Sequence, residues 1–242
     1  MKQRIATLLV TAGLAAAACG GTSESLETRD FADQVQSSGV SRAQSLYTSF
    51  AEAMPTVSYV IDGSAPVTAS DLYVRGAVTD VVAGSSFLWQ VDVNGENEER
   101  VELKFNEEGA MISTVHLTIR PDVVITAGRN EQPTEVVVGL ALEAPADPVA
   151  VAEEFKRYGN VALVLHKSPV FDYEPSAWTI LEDGALLATV GDDGVLRFPA
   201  LDADEQSRLA PEPLVIGDLE VAKDRVIELT VDSEGVLIPT AD

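Results

Sequence analysis

From Asp71 onward the chain alternates. Leu72, Val74, Gly76 and Val78 interleave with Tyr73, Arg75, Ala77 and Thr79, and Phe87, Trp89, Val91 and Val93 interleave with Leu88, Gln90 and Asp92. Val101, Leu103 and Phe105 repeat the pattern after Asn94-Gly95. A period of two places every second side chain on one face, so each run predicts a strand with one buried side. Gly84-Ser85 and Asn94-Gly95 read as the turns between them. Short strands joined by turns predict an antiparallel meander. Ser113 to Ile119 and Glu135 to Leu142 extend it, on either side of a polar loop over Ala127 to Pro133. Trp89 shares the face of Phe87 and is expected in the core.

Helical spacing occurs in two places. Ser41 and Gln44 have capping-box spacing, and Ala43, Leu46, Tyr47, Phe50, Ala51 and Met54 then form one stripe that Pro55 closes. Asp147-Pro148 supplies an N-cap and a proline at the first helical position, Val151, Phe155 and Tyr158 share a side, and Gly159 ends the run. Val161 to Leu165 is almost continuously apolar, as in a strand covered on both faces. Trp178 to Leu181, Leu186 to Val190 and Val195 to Phe198 predict further short strands, with Gly191-Asp192-Asp193-Gly194 as a turn. Pro211 and Pro213 mark a boundary. Asp218 to Leu229 fits neither period well and could be a helix or a strand, the helix being favoured. The expectation is a mainly β (α+β) fold, an antiparallel meander or OB-like barrel with two or three packing helices. Residues 41–210 form the β-rich domain, and 211–242 form a C-terminal subelement packed on it.

The first residues follow the grammar of an export signal. Lys2 and Arg4 precede an apolar run, Ile5 to Leu14, too short to cross a bilayer as a helix, and Ala15 to Ala18 supply a narrow cleavage segment. Cys19, the single cysteine of the chain, comes next. Ala15-Ala16-Ala17-Ala18-Cys19-Gly20 resembles the lipobox of bacterial lipoproteins, although Leu14 stands two residues earlier than the family's usual Leu. The resemblance implies a signal peptide over 1–18, diacylation of Cys19 and attachment to the extracytoplasmic face of the cell membrane. The alternative is an ordinary secretory signal that leaves Cys19 as a bare thiol. Residues 19–40, rich in Ser, Gly, Thr, Glu, Asp and Gln, read as a flexible tether.

Charge narrows the partners. The chain carries 16 basic and 39 acidic side chains, a formal charge of −23. Loss of Lys2 and Arg4 with the leader brings it to about −25. Such a field repels phosphate backbones, so no nucleic-acid partner is expected, and it repels anionic lipid, so attachment falls to the acyl chains. With one cysteine, no intramolecular disulfide forms, and the fold stands on its apolar core.

Ser70 to Thr79 looks like the opening strand of exported OB-fold-like β-barrel proteins, among them uncharacterised actinobacterial lipoproteins. Val161 to Leu165 after Gly159 is similar to a second shared feature, as is Trp178 followed by Gly184 and by Gly191 to Gly194. The resemblance covers residues 70–200 and implies a fold without an activity. Netrin-like inhibitor domains are similar in the first strand. They depend on a free N-terminal cysteine and on disulfides that this chain lacks, so their function is not transferred.

Chemical motifs are absent: no G-x-S-x-G, no P-loop, no dinucleotide glycine pattern and no H-E-x-x-H. No cofactor and no metal are expected. The two histidines fall on strands, His116 on a polar face and His166 at the end of the buried run. Asp92, Glu96, Glu98, Glu99 and Glu102 surround a turn and guard an edge; Asp192 and Asp193 suit a hairpin turn better than a Ca²⁺ loop. The expected function is a non-catalytic binding or structural module of the cell envelope. The alternative is an extracytoplasmic carboxylate-dependent hydrolase, since paired acids cannot be recognised from sequence.

Overall fold

The alternating runs on either side of Gly84-Ser85 are one strand. In the computed structural model, which describes residues 50–91, 98–127, 132–167, 177–180, 186–201, 204, 207, 212–231 and 237–240, β3 (Leu72–Val91) runs unbroken for 20 residues. Gly84-Ser85 is a bulge rather than the expected turn. Ala83 pairs with Val115 of β5 (Ile112–Thr126) and Ser86 pairs with Ser113, so β3 carries one residue more than its partner. The extra residue re-aims the strand without ending it. The leader, Cys19, the tether, residues 41–49 and Asn94-Gly95 lie outside the described residues.

Five strands close a ring. β3 pairs antiparallel with β5, and β5 with β6 (Val136–Glu143). β6 runs parallel to β8 (Trp178–Ile180), β8 antiparallel to β7 (Asn160–His166), and β7 returns to β3 through Leu72↔Leu165 to Ala77↔Asn160. α1 (Pro148–Tyr158) lies between the third and fourth ring strands. A closed five-stranded barrel with one helix in that place is OB-like. β4 (Glu98–Leu103), β9 (Leu187–Val190) and β10 (Leu196–Arg197) extend the sheet beyond the ring.

Closure requires the long strands to coil, and two residues allow it. Arg75 pairs with Val123 but Gly76 with Pro121, which leaves Asp122 as an extra residue in β5. Pro121 has no N–H to contribute, and a bulge is where a strand tolerates that. The sequence reading ended this strand at Ile119; the bulge carries it to Thr126. A Cβ on Gly76 would lie 2.2 Å from the Arg120 carbonyl oxygen, so only glycine fits the crossing.

Two apolar cores result. Leu72, Val74, Leu117, Ile119, Val138, Leu140, Leu163, Leu165 and Ile180 fill the barrel, joined by Val151 and Phe155 of α1. Asp147 caps that helix, its Oδ1 accepting from the Val149 and Ala150 amides at 2.9 and 3.3 Å, as the sequence predicts. The second core lies outside the ring, where Tyr73, Ala162, Val164 and Ala188 meet Phe50, Met54, Tyr59, Leu219 and Leu229. β7 is thus buried on both faces, Val161, Leu163 and Leu165 inward and Ala162 and Val164 outward.

The outer layer is a four-stranded sheet made from both ends of the described chain. β1 (Val57–Ile61) lies between β2 (Val67–Thr68) and β11 (Arg225–Val231), and β12 (Leu237–Pro239) pairs with β11. β1 and β11 run parallel. The helix expected over Asp218 to Leu229 is therefore corrected. α2 (Ile216–Glu220) is five residues long, and β11 follows because Ile227 and Leu229, two apart, reach the same core. Residues 50–54 form turns rather than the end of a helix, yet Phe50 and Met54 are buried as the stripe requires. Phe87 is buried but Trp89 is only half-buried. Pairing with β5 ends at Phe87↔Ile112, so the hairpin tip bearing Trp89 has only β4 beside it.

Gly76→Ala is expected to lower stability by at least about 2 kcal/mol, because the new methyl meets backbone that cannot rotate away. Gly217, on α2, has nothing within 4 Å of an added Cβ. Gly217→Ala should stay within about 0.5 kcal/mol of the wild type or rise above it. Urea midpoints at unchanged m-value check both.

Candidate functional site

Strand register fixes which side chains share the outer face of the barrel. Val82 pairs with His116, His116 with Gly139, Gly139 with Thr179, and Thr179 with His166. Paired residues point to the same face, so these five form one row across β3, β5, β6, β8 and β7. Their neighbours Val115, Leu117, Val138, Leu140, Ile180 and Leu165 fill the barrel, so the row faces outward. Both histidines of the chain stand in it, at either end of a Gly139–Thr179 centre.

The centre of the row is shallow. Gly139 has no side chain, and a Cβ there would come no closer than 3.8 Å to Ala177. Val137 and Ala141 flank it on β6. At the His116 end the β3 bulge folds over the face. A Cβ on Gly84 would lie 2.4 Å from Thr114 Oγ1 and 3.0 Å from His116 Nε2. The Ser85 amide donates to Thr114 Oγ1 at 3.0 Å, and that hydroxyl donates to the Ser85 carbonyl at 2.9 Å. Val82, 44% exposed, marks the open end.

A polar network, part-buried, pins the hairpin beside this face. Asn106 holds a left-handed backbone at φ 55°. Its Oδ1 accepts from Ser113 Oγ at 2.8 Å and from the Ala146 amide at 2.9 Å, and its Nδ2 donates to the Ala146 carbonyl at 2.7 Å. Its own amide donates to Ser86 Oγ at 2.8 Å, and Ser86 and Ser113 share a 2.6 Å bond. Three segments, β3, β5 and the start of α1, are joined through one side chain. The sequence reading passed over Asn106; an Asn in a polar turn between two strands was the available signal.

A second cluster lies on the opposite wall. The buried Tyr73 hydroxyl donates to Glu220 Oε1 at 2.8 Å. Arg75 Nε lies 3.3 Å from the same oxygen and 3.1 Å from Asp122 Oδ1. Burial pushes the Tyr73 phenol far above its ordinary value, and the Glu220 carboxylate adds to the shift. The phenol therefore stays protonated and remains a donor. This cluster was illegible in the sequence, since Tyr73 and Glu220 are 147 residues apart.

Of the acidic turn residues, Asp193 and Glu102 have partners, while Asp92 and Glu96 lie outside the described residues. Arg197 grips Asp193 at 2.9 and 3.3 Å, which with the Val195 amide holds that carboxyl below its usual range. Glu102 accepts from Ser85 Oγ at 2.6 Å beside an open groove of about 550 Å³ that Leu103 and Phe105 also line. Among the described residues, no three His, Cys, Asp or Glu side chains gather as metal ligands, and no helix is long and apolar enough to cross a membrane. Cys19, the one site residue predicted from sequence, lies outside the described residues.

No protein-family model, curated protein or solved structure matches this chain. The geometry alone must carry the functional reading. Carboxylates from two different elements meet at Asp122 and Glu220, but Arg75 holds both and Tyr73 occupies one.

Asn106→Gly should lower stability by about 2 kcal/mol, since buried hydroxyl and amide partners lose an acceptor while the left-handed backbone is kept. Asn106→Ala should cost about 1 kcal/mol more, the added strain of a Cβ at positive φ. Tyr73 gives a pH signature. Below about pH 10 the unfolded and folded chains both keep its proton; above it the unfolded chain releases a proton that the fold retains. Stability therefore falls as pH rises, by up to about 1.4 kcal/mol per unit from this group. Tyr73→Phe should remove that share of the slope in urea titrations between about pH 9 and 11.

Proposed function

We propose that this chain is an extracytoplasmic lipoprotein whose barrel is a non-catalytic binding module of the bacterial cell envelope. In this reading, diacylated Cys19 holds it to the outer face of the membrane and residues 19–40 are the tether. The lone cysteine behind an apolar run of signal-peptide length supports the anchor, and two acyl chains suffice for stable attachment. The binding surface is the outward row Val82–His116–Gly139–Thr179–His166. It supports the reading because it lies on the second and third strands of an OB-like ring, the face such barrels use for ligands. That last step is a fold-level analogy. The formal charge of −23 makes nucleic acid a poor occupant, and a neutral or cationic extracellular partner fits better.

The anchor and the surface are tested separately. Cells fed a clickable fatty-acid analogue should label the wild type and not Cys19→Ala; an unlabelled wild type contradicts the anchor. A photo-crosslinking residue at Val82 should give a discrete adduct on intact cells, whereas the same residue at Val226 of β11 should give none. Identical patterns from both positions would contradict the assignment of the face.

A further inference from the structure

The two sheets share no strand pair among the described residues. Every pairing of the outer layer is internal to it, β1 with β2, β1 with β11 and β11 with β12, and every pairing of the ring is internal to the barrel and its extensions. Among the described residues, the contacts between them include the second core, a short run of backbone bonds and a polar cluster. The Leu196 amide donates to Leu214 O and the Ile216 amide to Gly194 O, both at 2.9 Å, beside the bridge Val195↔Val215. The polar cluster is Glu220 on Tyr73 and Arg75, with Asp122 the other charge facing that guanidinium.

The layer consists of chain segments before β3 and after β10, so it can part from the barrel without breaking the ring. Its release would uncover Tyr73, Ala162, Val164 and Ala188 while the barrel kept its own core. Glu220 is placed to decide how readily that happens. Its side chain is 15% exposed and Arg75 is 24% exposed, so water screens the pair only in part. A charged acceptor also strengthens the bond from the buried phenol.

We propose that the β2–β1–β11–β12 layer, together with α2, is a cover that lifts from the barrel wall as a unit, with Glu220 of α2 as its latch. Local opening of this kind appears in amide exchange as contiguous segments that exchange at a free energy below global unfolding. In the wild-type chain, amides of Val57–Ile61 and Arg225–Val231 should exchange faster than those of Val161–Leu165. Glu220→Ala should speed the first two segments by about tenfold more and leave Val161–Leu165 unchanged. Glu220→Gln, which keeps an acceptor for Tyr73 but not the charge, should fall between. Wild-type exchange of all three segments at one common free energy would overturn the proposal, and that measurement needs no variant to fold. So would a Glu220→Ala profile that matches the wild type in β1 and β11.

Discussion

The fold depends on β3 being paired along both edges at once. Residues 72–77 bond to β5 on one side and to β7 on the other, and this double pairing joins the first ring strand to the fourth. A strand paired on both edges has no exposed ladder left to template aggregation. It must also coil enough to meet β7, and the bulges at Gly76/Pro121 and Gly84-Ser85 supply that bend. Once the ring is closed, alternation does the rest. Leu72 and Val74 fill the barrel, while Tyr73 and Arg75 are turned outward toward the terminal layer.

That division explains the two cores and their polar seams. Asn106 works at the mouth of the barrel, where three segments converge and buried hydroxyls need partners. Glu220 works on the outer wall, where a buried phenol and a largely covered guanidinium need an acceptor. Both are single side chains that satisfy several donors across elements distant in sequence, and leaving such donors unpaired would cost more than any exposed ion pair returns. The proposed binding face is centred on β5, β6 and β8, where small side chains leave the surface shallow.

Much of this was legible in the chain. Period-two runs announced β3, β5 and β6; Asp147-Pro148 and Gly159 bracketed α1; and the unbroken apolar run Val161 to Leu165 required cover on both faces, which the second core provides. The errors share one cause. Gly84-Ser85 looks like a turn and Pro121 like a stop because both break local strand chemistry, and only the partner strand converts a break into a bulge. β1 and its pairing with β11 escaped notice because that pairing is parallel and spans almost the whole described chain. The histidine row was equally invisible: each histidine could be placed on a strand, but their alignment is a property of register across four partners.

The ring and the proposed face are one claim, because the ring needs β8 paired with both β6 and β7, and the Gly139–Thr179 pair is at once one of those contacts and the centre of the row. Cross-strand nuclear Overhauser contacts at this pair test it most directly. The account predicts backbone contacts from Thr179 to Gly139 on one side and to His166 on the other, in a single species. Contacts from Thr179 to only one of these strands would contradict it, since the sheet would then be open and the two histidines would not share a surface.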